Sequence, residues 1–178
     1  MIPFFLAAGL ASAPALDALT ESLATAMCQK ASAGLKDMRW DRDGTRPAYV
    51  RDRLSRCSKL LLRAHREGVS YVGLARILGI AYAETNFRPR AVGSSGERGM
   101  MQIIPLKHCH LAGGPSSCDY DLAGIRFFKS LVAAEVRRAV GLRRRFSWTL
   151  VLWRYNGGRA YALKVEAYAR TVLYRWRR

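Results

Sequence analysis

Residues Ile77 to Pro105 read ILGIAYAETNFRPRAVGSSGERGMMQIIP: an apolar helical pattern reaches a glutamate, and a glycine-rich loop follows at once. Leu74, Ile77, Leu78 and Ala81 recur at three- and four-residue intervals, and Glu84 takes the next place on that stripe, seven residues after Ile77. The spacing predicts a helix with Glu84 turned inward on its last turn. Its end is expected at Arg88, because a residue before proline is pushed out of the helical region and Pro89 has no N–H to donate. A carboxylate at the edge of a core meets a low dielectric, which raises its pKa and makes it a candidate general acid. The competing reading is a helix-terminal glutamate paired with Arg88, at helical spacing from it.

The residues beyond Glu84 favour the first reading. Glu84, Thr85, Asn86, Phe87, Arg88 and Pro89, then Ala91, Gly96, Gly99, Met100, Met101, Gln102 and Pro105, resemble the catalytic segment of the soluble lytic transglycosylases, relatives of goose-type lysozyme. That family carries a Glu-Ser-x-Phe element and a loop ending Gly-Leu-Met-Gln, with the same separation of eighteen residues between glutamate and glutamine. A third family element, Ala-Tyr-Asn-Ala-Gly, has its counterpart in Arg154, Tyr155, Asn156, Gly157 and Gly158. The resemblance covers roughly Glu67 to the C-terminus. It implies an all-α, lysozyme-like fold and cleavage of the MurNAc-GlcNAc β-1,4 bond of peptidoglycan. Glu84 would protonate the leaving oxygen and then serve as base on the muramic C6 hydroxyl, giving a 1,6-anhydro product without a second carboxylate or any cofactor. By the same resemblance Gln102 and Met101 border the substrate, the Tyr155 hydroxyl orients Glu84, Asn156 completes the third element and Tyr168 matches a later cleft tyrosine. Tyr168 also falls on an apolar stripe that suits core packing. Two departures stand out: Gly93 occupies the usual serine position, with Ser94 and Ser95 as neighbouring hydroxyls, and Arg154 replaces an alanine. Glu97 lies in the loop, and the resemblance gives it no catalytic role.

Outward from this stretch, 178 residues suffice for one catalytic domain. Residues 1–18 are apolar and small and read as an export signal, although no Lys or Arg precedes Lys30. The run is too short for a membrane span, and Asp17 and Glu21 close it. Cys28 is excluded as a lipidation site because Met27 stands where a small residue is required. Residues 19–66 form a helical N-terminal extension and 67–178 the catalytic domain. In the extension, helical patterns cover about Leu19–Ala33 and Pro47–Glu67, with Val50, Leu54, Cys57 and Leu61 on one face as scaffold for the catalytic helix. Further on, Asp119 and Asp121 offer N-caps to a helix through about Val140, with Leu122, Ile125, Phe128 and Val132 inward. Ser147 caps another that stops at Gly157, and Tyr161, Val165, Tyr168 and Val172 stripe the last.

Four cysteines in an exported chain favour disulfides. Proximity suggests Cys28 with Cys57 and Cys109 with Cys118, one of three possible pairings. A metal site at His108, Cys109, His110 and Cys118 is set aside, because adjacent ligands point apart and the spacing is not that of zinc. The net charge of +17 and pI near 10.6 imply adhesion to polyanions, densest at Arg143–Arg145 and Arg175–Arg178. Cell-wall carboxylates and phosphates fit that charge. Nucleic acid is disfavoured, since no recognition motif accompanies the arginines. A periplasmic or secreted, wall-associated enzyme is expected; cell-envelope assembly or secretion machinery is a possible partner.

Overall fold

The computed structural model describes residues 24–29, 47–88 and 90–176. The expected export signal lies outside the described residues. Of the early helix, residues 24–29 are helical. Helix α1 (Pro47–Arg66) is followed by α2 (Tyr71–Thr85), a single turn α3 (Pro105–His108) running into a 3-10 turn (Cys109–Leu111), then α4 (Tyr120–Gly141), α5 (Trp148–Asn156) and α6 (Arg159–Trp176). Among the described residues there is no strand. Two isolated bridges, Val92 with Arg98 and Arg98 with Ile103, fold the loop after α2 back on itself. The all-α expectation holds.

Helix α2 is the axle. Its residues Gly73 to Ala81 are buried without a break, because α1, α6 and the glycine loop surround it on several sides. The amphipathic stripe expected for Leu74, Ile77, Leu78 and Ala81 is therefore part of a wider apolar surface. One core joins Cys28, Leu60 and Leu61 to Leu74, Ile77, Ile80, Phe128, Val165 and Val172, so the N-terminal segments and the C-terminal helices share it. Burying each such leucine or isoleucine contributes about 1.5–3 kcal/mol.

The charged residue inside α2 has a partner. Arg76 donates from Nε and Nη2 to both carboxylate oxygens of Glu166 on α6, at 3.0 and 2.6 Å, and lies 4.4 Å over the ring of Trp148. This bidentate pair pins α2 to α6 at a fixed register.

The helix ends fit the residues at them. Ser70 caps α2, Asp119 caps α4 by accepting from the Leu122 N–H, and Ser147 caps α5 by accepting from the Leu150 N–H. Asp121 does something else: its carboxylate accepts from the Met100 N–H at 3.1 Å and so ties the start of α4 to the glycine loop. Cys28 is bonded to Cys57 and Cys109 to Cys118, the pairing expected from proximity. With both thiols of the second pair so occupied, they are not metal ligands. No cluster of three or more His, Cys, Asp or Glu side chains able to hold a metal occurs among the described residues. No helix of the described residues is long and apolar enough to cross a membrane.

Candidate active site

Glu84 is the penultimate residue of α2, and the way that helix ends fixes it. The helix stops at Thr85, three residues before Arg88, because Asn86 and Phe87 both take left-handed conformations (φ 54° and 62°). Their N–H groups close back on the carbonyls of Tyr82 and Ala81, a Schellman-like finish made without glycine. Phe87 is held there by burial, with 2% of its surface exposed. The buried Thr85 hydroxyl lies 3.2 Å from the Ala81 carbonyl and 3.0 Å from the Met100 carbonyl, and it accepts from the Arg88 N–H at 3.2 Å. One hydroxyl thus links helix end and glycine loop beside Glu84. Arg88 turns away: its Nε donates to the Thr85 carbonyl at 3.1 Å. The alternative of a Glu84–Arg88 pair is not what the structure contains.

Glu84 opens into a cleft of about 300 Å³ between the glycine loop and α5. Asn156 donates from Nδ2 to Glu84 Oε1 at 3.1 Å. The Tyr161 hydroxyl of α6 lies beside the same carboxylate and pulls its pKa down, yet meets no partner at full hydrogen-bond geometry. Burial dominates and raises the Glu84 pKa above the ordinary carboxylate value; Glu97 adds to the rise, while Tyr161, Asn156 and Lys164 oppose it. Glu84 is therefore a carboxyl biased toward holding its proton in a cleft open to a ligand, which is what a general acid needs.

The loop wall is built by Gln102, itself left-handed at φ 47°. Its Nε2 donates to the carbonyls of Ala91 and Gly99 at 3.3 and 3.0 Å, so the amide braces the loop as well as lining the cleft. Gly99 permits this fold-back: at φ 77°, a side chain there would collide with Tyr120.

Tyr155 lines the cleft, but its hydroxyl donates to the Met101 carbonyl at 2.7 Å and not to Glu84. The hydrogen bond expected from Tyr155 is supplied by Asn156 instead. The reason is depth: burial pushes the Tyr155 hydroxyl pKa far up, and a buried donor takes the nearest free carbonyl. Met101 lends only that carbonyl. Its side chain is fully buried against α4 and does not line the cleft. Tyr168 also lies away from the cleft lining, stacked on Tyr82 with ring centroids 5.1 Å apart, and its hydroxyl has no hydrogen-bond partner. It follows the apolar stripe, not the family cleft position.

Two cleft residues escape a sequence reading. The rings of His108 and Phe127 meet at a tilt of 34° with centroids 4.1 Å apart, and Phe127 meets Tyr155 at 5.3 Å and 40°, so the three rings form one wall. His108 Nδ1 accepts from the Ile104 N–H at 3.1 Å, and burial lowers its pKa, which keeps the ring neutral. An uncharged aromatic wall suits the apolar face of a ring ligand. Phe127 sits next to the buried Phe128, and only the helix phase separates wall from core. Tyr161 is legible in hindsight as the first member of the α6 stripe.

Arg154, where the resemblance has alanine, points away from Glu84. It donates to Glu135 Oε2 at 2.9 Å, and Arg144 donates to both oxygens of the same fully buried carboxylate at 2.6 and 3.0 Å. Arg144 chiefly, helped by Arg154 and the Ser147 N–H, holds the Glu135 pKa down to about 2. The cluster anchors α5, and through it Tyr155 and Asn156, against α4. A second concavity, about 430 Å³ and bordered by the contiguous residues Ser117 to Asp121, includes no residue of the Glu84 cleft.

No curated protein and no solved structure matches the chain. Among protein families, the transglycosylase SLT domain matches residues 65–120, a span that holds Glu84, the glycine loop and Gln102. The third element, Tyr155 and Asn156, lies beyond the matched span, and the fold brings it to Glu84 through the Asn156 hydrogen bond. Over residues 65–120 the chain is thus similar to the transglycosylase SLT domain family.

Proposed function

We propose that the protein cleaves peptidoglycan glycan strands at the MurNAc-GlcNAc β-1,4 bond, with Glu84 as the acid that protonates the leaving oxygen. The observation that carries this reading is the state of Glu84: a desolvated carboxyl, its pKa raised by burial, facing a cleft and oriented by Asn156. After bond cleavage the ionised Glu84 takes the proton of the muramic C6 hydroxyl, whose oxygen closes on the anomeric carbon as a 1,6-anhydro ring. The proton count balances, and Glu84 ends protonated as it began. Gln102 forms the loop wall, and His108, Phe127 and Tyr155 offer a stacking surface for a sugar ring. The disulfides and the charge of +17 support an enzyme exported to the cell wall and held on its anionic polymers.

A hydrolytic outcome is the second reading, favoured by Glu97, a further carboxylate lining the same cleft. Retaining and inverting hydrolases use such a second acid, directly or through water. Mass spectrometry of released muropeptides separates the two, because the anhydro product is lighter by one water. Zymography tests the shared step. Glu84→Gln is expected to lose clearing by roughly 10²–10⁴-fold, the usual worth of a general acid or base. Equal clearing by both proteins removes Glu84 from the mechanism.

A further inference from the structure

Gly93 stands where the resemblance places a serine, and the space its side chain would take is filled from elsewhere. A Cβ built on Gly93 would lie 2.2 Å from Glu97 Oε2 and 2.7 Å from Gln102 Oε1. The carboxylate is held in that place. Glu97 Oε2 accepts from the Ser95 N–H at 3.0 Å, and the backbone around it is closed by Gly93 N–H to the Glu97 carbonyl at 2.9 Å and Gly96 N–H to the Gly93 carbonyl at 3.1 Å. Glu97 and Glu84 line the same cleft. A side chain at position 93 and the Glu97 carboxylate in this position are mutually exclusive.

We propose that Gly93 and Glu97 form one unit in which Glu97 is a positioning residue, its carboxylate seated in the notch of the missing side chain and presenting negative charge to Glu84. The inference rests on the reading of Glu84 as the acid and extends it to what keeps the acid ready. The charged and polar groups that act on Glu84 are Glu97 from the loop, Asn156 from α5, and Tyr161 and Lys164 from α6, with Tyr155 also close by. Of these, Glu97 alone adds to the effect of burial in favouring the protonated form. The serine hydroxyl that the family pattern calls for would be neutral. In this chain a carboxylate replaces it, so the loop sets the protonation of Glu84 as well as its shape.

The test is a titration of the Glu84 side-chain carboxyl by ¹³C NMR in four full-length proteins: wild type, Glu97→Gln, Gly93→Ser and the double variant. The Glu97 carboxylate and the Gln102 amide oxygen are both far ends of flexible side chains, so Gly93→Ser can be accommodated without unfolding by expelling the carboxylate from the notch and a small shift of the amide. Glu97→Gln is expected to move the Glu84 midpoint to lower pH, and Gly93→Ser to move it the same way, because the serine side chain evicts the carboxylate. The double variant should move it no further than Glu97→Gln alone. A midpoint unchanged or raised in either single variant, or additive shifts in the double, overturns the proposal. Peptidoglycan clearing by the wild type is read separately. A protein that titrates as expected but clears nothing refutes the proposed function and leaves the Gly93–Glu97 unit standing.

Discussion

At Glu84 two demands oppose each other. An acid must hold its proton near neutrality, which requires burial, and burial makes the ionised form costly to the fold. The folded-state pKa is raised above 4.5, so the folded chain binds this proton more tightly than the unfolded one. Its contribution to stability is therefore unfavourable above pH 4.5 and grows until the folded carboxyl also ionises. Glu84→Gln keeps the size and can still accept from Asn156 without carrying charge. It is expected to raise the melting temperature at pH 7 while removing clearing, and the gain should disappear below about pH 4.5, as thermal scans across pH can show. A variant less stable than wild type at neutral pH would mean that the carboxylate is a structural asset. The place of Glu84 on the last turn of α2 was readable from spacing, and the resemblance named Gln102 and Asn156, which line the same cleft. What Tyr155 bonds was not, because a hydroxyl's partner is chosen by depth and the nearest free carbonyl, neither of which is written in spacing.

Among the elements, the end of α2 and the anchoring of α5 do most to shape the site. Thr85→Val keeps the shape of the side chain but leaves the Met100 carbonyl without its donor and the Arg88 N–H with the Thr85 carbonyl alone. A loss of about 1–3 kcal/mol in denaturant unfolding is expected, the cost of unmade buried hydrogen bonds. The Glu135 cluster carries a pH signature. Its carboxylate is held down to about 2, against 4.5 ordinarily. Its stabilising contribution is thus complete above pH 4.5 and is lost as pH falls toward about 2. Glu135→Gln should be less stable than wild type at pH 7, with the two curves converging near pH 2 when followed by circular dichroism. The long helices were legible, since the caps Asp119 and Ser147 and the stop at Gly157 follow residue chemistry, whereas the Ser70 cap and the short turns over 105–111 were not read. The end of α2 was not. Pro89 suggested Arg88, whereas Asn86 and Phe87 leave the helix earlier because the buried ring and the Thr85 link to Met100 demand it. Arg76 and Arg154 were opaque for a related reason: each is satisfied by a glutamate distant in sequence, Glu166 and Glu135.

For the molecule as a whole, each of the two hydrophobic clusters among the described residues carries a covalent tie, Cys28–Cys57 in the larger and Cys109–Cys118 at the smaller. Cys28–Cys57 joins the early helical segment to α1, and Cys109–Cys118 closes the turn before α4. Chain-entropy reasoning gives each about 2–4 kcal/mol. Reduction is expected to lower the melting temperature markedly, with the Cys28→Ala/Cys57→Ala variant reproducing part of the loss; an unchanged melting curve in reductant would show that packing alone suffices. The pairing was legible from proximity, whereas the sharing of one core by the N-terminal segments and the C-terminal helices was not, because apolar stripes do not name their partners. The hydrogen bond from Asn156 to Glu84 spans 72 residues of chain, and the Tyr155 latch to Met101 spans 54. Glu84 is thus made well before the side chain that bonds it. A nascent chain, or a fragment ending before α5, carries Glu84 without the amide that bonds it, so under the proposed function the site stays inert until α5 has been made and has folded back on α2.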